Sequence, residues 1–185
     1  MNRRRTMQAA LALAGAVFLA GHSPYRQWHA YRGKHLIVVA SVTDASACRL
    51  ADILAAQLAA EIPQSRAVAA EAKSVREVVQ LLRTHQLPTG ILDLQSARAA
   101  YAGSAPFERE GPLALRALAR FEGSLLVVLD DFPADKAFEI AGTAAGLLRS
   151  QRPASEKRAT PEVPDIPLHP GALAFQQADG SHTGR

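Results

Sequence analysis

The residue pattern predicts an α/β fold built on a mostly parallel sheet with helices on both faces. Three observations carry that expectation. Short, nearly continuous apolar runs recur, as in residues 35–41 (HLIVVAS) and 90–94 (GILDL). Such runs suit strands buried on both sides. Stretches with apolar residues at helical spacing separate them, opening on good capping residues. Strands and helices in strict alternation are the signature of a parallel sheet.

The elements follow in order. After the first strand come Thr43, Asp44 and Ser46, all good caps. Leu50, Ile53, Leu54, Leu58 and Ile62 then give a helix its apolar stripe, and Pro63 stops it. Residues 66–70 make a weaker strand. Ser74 and Glu77 have the spacing of a capping box, with Val75, Val78, Val79 and Leu82 as the stripe behind it. Residues 90–94 are the next buried strand. A short helix is expected from Ser96 to Ala102, with Gly103 as its stop. Residues 115–129 read as strand, with Glu122, Gly123 and Ser124 as a turn or bulge. Asp131 and Pro133 open a helix to about Leu148. Residues 151–165 are polar and rich in proline, a linker pattern. Residues 166–175 form a short ordered patch, and the last ten look frayed.

The chain has 185 residues, enough for one ordinary domain with appendages. Its net charge is +4, but Arg3, Arg4, Arg5, Arg26, Arg32 and Lys34 all precede the first strand. The body is close to neutral, which argues against nucleic acid as a partner. Cys48 is the only cysteine, so neither an intrachain disulfide nor a cysteine zinc site is available. The six histidines are scattered. No catalytic constellation, metal or cofactor is expected, and binding rather than catalysis is the activity read here.

The first 33 residues read as an address. Arg3, Arg4 and Arg5 precede an uncharged apolar run over 7–21. Residues 2–8 resemble a twin-arginine export signal, departing from it at Thr6. Residues 19–21 lack a good cleavage pattern, and Pro24 follows Ser23. A retained inner-membrane anchor with the body facing the periplasm is therefore expected, and a cleaved signal peptide is the alternative.

Ligands of open parallel sheets bind outside the carboxyl ends of the strands. Two loops then matter. One follows the first strand and carries Ser41, Thr43, Asp44 and Ser46. The other follows the 90–94 strand and carries Gln95 and Ser96. Asp44 supplies a negative charge where a helix N-terminus otherwise attracts anions, so it turns the site toward neutral or cationic solutes, caps the helix and nothing more, or marks a site abandoned. Gln95 and Ser96 offer an amide and a hydroxyl, or a loop residue and a helix cap.

Several segments together resemble the TAXI family, the solute receptors of tripartite ATP-independent periplasmic (TRAP) transporters. They are residues 92–103 (LDLQSARAAYAG), Pro106 and Phe107, residues 115–119 (LRALA), residues 131–140 (DFPADKAFEI) and residues 166–172 (IPLHPGA). The likeness spans about residues 36–175. It implies a type II periplasmic-binding fold and a small organic solute, such as a dicarboxylate or an amino acid. Receptors of that family close two lobes on the solute. Here residues 125–130 (LLVVLD) run straight into the next helix, so a single lobe is expected over 34–150. Its partners are then a weakly held solute, a transporter membrane subunit or a second copy of the chain. The alternative function is a membrane-anchored interaction or scaffold module that lost the solute.

Overall fold

A computed structural model describes residues 35–151 and 165–182. The segment expected to direct export lies outside these residues, as does most of the proline-rich linker. Five strands form one sheet: β1 (Ile37–Ser41), β2 (Val68–Ala72), β3 (Thr89–Asp93), β4 (Leu115–Phe121) and β5 (Ser124–Leu129). Among the described residues five α-helices accompany them: α1 (Ala45–Glu61), α2 (Val75–Arg83), α3 (Leu94–Ala102), α4 (Ala134–Gln151) and α5 (Pro170–His182).

The strand order is β2-β1-β3-β5-β4. β1 pairs in parallel with β2 and with β3, whereas β5 pairs antiparallel with β3 and with β4. The sheet is therefore mixed, and the expectation of a mostly parallel one is corrected at β5. That strand is the return arm of a hairpin. Gly123, at φ +74°, turns the chain so tightly that β5 inserts between β3 and β4. Reversing β5 alone leaves β4 running in the same direction as β1, β2 and β3.

Helices cover both faces, as expected, and the strand order explains why. The chain moves from β1 sideways to β2, then back across β1 to β3. Right-handed crossovers in opposite directions place their helices on opposite faces. Accordingly α1 packs with Val38, Ala40 and Ile91, while α2 packs with Ile37, Val39 and Leu92. α3 joins α2, and α4 and α5 join α1. Alternate residues of β1 thus serve two cores, which is why the whole strand is apolar and buried.

The C-terminal segment wraps the β4 edge. Ile166 is buried on the α2–α3 side, Leu168 bridges to Ala117 in parallel, and Ala172 is buried on the α1–α4 side. Buried His169 pins the crossing point: its Nε2 lies 2.9 Å from the Phe132 carbonyl, and Gly171 N–H donates to Nδ1 at 3.1 Å. α5 runs on to His182, well past the short patch the sequence suggests.

Candidate functional site

β1 and β3 are neighbours whose outgoing connections diverge, α1 leaving toward one face and α3 toward the other. A crevice at the carboxyl ends of such a strand pair is a topological switch point. Both candidate loops open onto it. Ser41 is the last residue of β1, and Asp93 is the last residue of β3.

The first loop is tightly cross-bonded. Ser41 is buried, its Oγ lies 2.8 Å from Thr43 Oγ1, and it accepts from Thr43 N–H at 3.3 Å. Asp44 caps α1 as expected. Its Oδ1 accepts from Ser46 N–H and Ala47 N–H, each at 3.0 Å, and from the Ser46 hydroxyl at 2.9 Å. The Ala47 N–H holds the Asp44 carboxyl below its ordinary range; partial burial opposes this and the Ser46 bonds add to it. The α1 N-terminus therefore already carries its own anion.

Cys48 lies one turn into α1 and donates its thiol to the Ser41 carbonyl at 3.2 Å. Burial, followed by the nearby charges of Glu71, Asp44 and Asp52, pushes the thiol pKa up. A raised pKa keeps the thiol protonated and suits a packed side chain, not a nucleophile.

The second loop differs from the expected one. α3 begins at Leu94, directly after β3, so no loop residue separates strand from helix. Gln95 and Ser96 stand in the first turn of the helix. The cap is Asp93, whose Oδ1 accepts from Ser96 N–H at 2.9 Å, so Ser96 is the capped residue and not the cap. The Asp93-x-x-Ser96 spacing is a capping signal, hidden in the sequence because Asp93 also ends the apolar run of the strand. Leu94 N–H reaches the Gly123 carbonyl at 3.3 Å, so the β4–β5 turn leans on the start of α3. The Gln95 side chain is exposed and makes no hydrogen bond among the described residues. Val42, another residue the sequence does not single out, is 50% exposed at this rim.

The fold thus brings all six candidates to one edge of the sheet. Four of them, Ser41, Thr43, Asp44 and Ser46, are bonded within their own turn. The Gln95 amide and the Ser96 hydroxyl make no hydrogen bond among the described residues, and of the two Gln95 is the more exposed. Among the described residues, no group of three metal-ligating side chains converges, and no helix is long and apolar enough to cross a membrane. A scan against protein-family models finds no match for this chain, and a search of curated proteins finds none either.

Proposed function

We propose that the chain is an extracytoplasmic, solute-receptor-like protein of the TAXI type, reduced to one lobe, that takes an amino-acid-like solute weakly at the carboxyl edge of its sheet. The observation that carries this reading is the switch point between β1 and β3, with Gln95 unengaged beside it. The sheet and its two helical layers are compatible with a single lobe of the type II periplasmic-binding fold. β5 ends at Leu129 and α4 begins at Ala134, which leaves no chain for a second lobe between them.

Charge selects the solute. Asp44 and Asp93 occupy the helix N-termini that would otherwise hold a carboxylate. A dicarboxylate is repelled there, and a solute bearing an ammonium group or no net charge is not. Affinity is limited by shape. Well-formed small-molecule sites bury roughly 70–90% of the ligand surface. One open lobe buries about half of that, at a cost on the order of a thousandfold in affinity. The N-terminal segment would tether the lobe to the inner membrane, where a transporter subunit or a second copy could cover the open side.

Thermal unfolding against millimolar amino acids, amines and dicarboxylates tests this. Amino acids should raise the midpoint by mass action, dicarboxylates should not, and Gln95→Ala should remove the effect. No shift with any solute would reject the solute reading. It would leave the second reading, a membrane-anchored interaction module, which the self-satisfied bonding of the residue 41–46 turn favours.

A further inference from the structure

We propose a second ligand site, separate from the β1–β3 crevice, that takes a small apolar monocarboxylate. It is a cavity of about 360 Å³ lined by Tyr101, Pro112, Leu113, Ala114, Leu115 and Arg116. That volume falls within the range of about 300–1,000 Å³ typical of small-molecule pockets. Tyr101 lies near the far end of α3 and Leu115 begins β4, so the cavity sits at the sheet edge opposite the residue 41–46 turn.

The cavity is held in shape before any ligand arrives. Leu113 N–H donates to the Ala100 carbonyl at 3.0 Å, and Asp130 N–H donates to the Ala114 carbonyl at 2.9 Å. The Arg83 guanidinium donates to the Gly111 and Pro112 carbonyls at 2.6 and 3.3 Å. Leu113 and Leu115 are buried beneath. A preformed pocket spares the ligand the cost of ordering its walls.

Two polar side chains stand in the lining, Tyr101 and Arg116. Tyr101 Oη makes no hydrogen bond among the described residues. Arg116 Nε donates to Asp130 Oδ1 at 2.5 Å, which fixes the guanidinium plane, while neither Nη group has an acceptor among the described residues. A guanidinium that spends Nε on one carboxylate can still offer its Nη edge to another. The Arg116–Asp130 pair sums to zero charge. Its free Nη edge can donate to one added carboxylate, and a second carboxylate would find neither a further charged donor in the lining nor a net positive field. The rest of the ligand would lie against Pro112, Leu115 and the Tyr101 ring.

Benzoate is a suitable probe, titrated into the full chain and followed by amide NMR, with succinate and butylamine as comparisons. Saturable movement of the amides of Tyr101 and residues 113–116 with millimolar benzoate is the expected result. Arg116→Gln should weaken it on the order of tenfold or more, given the strength of charge-assisted bonds. Ala114→Leu, at an exposed position, should fill the cavity and abolish binding without touching the Arg116–Asp130 pair. Asp44→Asn should leave benzoate binding unchanged, so this site and the β1–β3 site stand or fall separately. Unmoved amides, equal binding of succinate, or benzoate binding by the Ala114→Leu variant with wild-type affinity would overturn the proposal.

Discussion

Asp44 Oδ1 gathers three hydrogen bonds at one oxygen, and Glu61 Oε2 accepts from the Thr143 hydroxyl at 2.6 Å. Both carboxyls are held below their ordinary values of 3.8 and 4.5, Asp44 chiefly by the Ala47 N–H and Glu61 chiefly by Thr143. A carboxyl with a lower pKa in the folded state binds protons later than the unfolded chain does. Its contribution is therefore complete above the unfolded value and fades as pH falls through the folded one. Asp44→Ala should cost about 1 kcal/mol near neutrality, as lost caps do. Denaturant titrations should show that deficit holding from neutrality down to near the ordinary value of 3.8 and shrinking as pH falls below it; a deficit that stays constant below that value would show that the cap acts without its charge. Gly103 caps α3 at φ +65°, and a Cβ there would lie 2.4 Å from Pro112 N. Gly103→Ala should lower stability by more than about 1 kcal/mol, measurable in the same titrations. The caps Asp44, Ser74 and Gly103 are legible in the sequence because capping is decided within four residues. Ser74 still differs in detail: it accepts from Glu77 N–H, but the Glu77 carboxylate takes Lys73 N–H, leaving the reciprocal half of the box unmade.

The buried strands and the long amphipathic helices could be read because burial on both sides, or on one stripe, leaves a mark that needs no knowledge of neighbours. β2 shows where that mark fails. It is an edge strand, only partly buried over most of its length, and it lies at Val68–Ala72, two residues past the expected 66–70. α5 shows it again. Behind Ala172, Leu173 and Phe175 its sequence turns polar, and what keeps it helical is contact with α4. The contact is close at Gly171, where a Cβ would lie 2.2 Å from the Ala134 carbonyl oxygen and 2.8 Å from Ala137 Cβ. Gly171→Ala should push the start of α5 off α4. Hydrogen exchange should then quicken over residues 171–178 while β1 and β3 keep their protection. Loss of protection across the whole sheet would mean that α5 is part of one cooperative core with it.

Strand order and direction belong to the whole chain. The turn at Gly123 reverses β5 against β4 locally, but its insertion beside β3 depends on pairing with Leu92, Ile91 and Gly90 more than thirty residues upstream, which no local pattern encodes. The candidate crevice was legible only in part for the same reason: the loops could be named, but their meeting depends on β1 and β3 becoming neighbours. Removing residues 165–185 tests how far the wrap around β4 matters. It deletes buried Ile166, His169 and Ala172 and bares the Ala117 backbone, whose N–H and carbonyl otherwise bond to Pro167 and His169. The shortened protein should melt at lower temperature and elute as larger species, because an uncovered strand edge invites pairing with other chains.

That wrap also sets a timetable. Ile166 to Ala172 leave the ribosome after every strand of the sheet whose edge they close. Until they arrive, the nascent domain has an unfinished edge and lacks part of the filling in both of its cores. The sheet is thus finished by residues made only after all five of its strands.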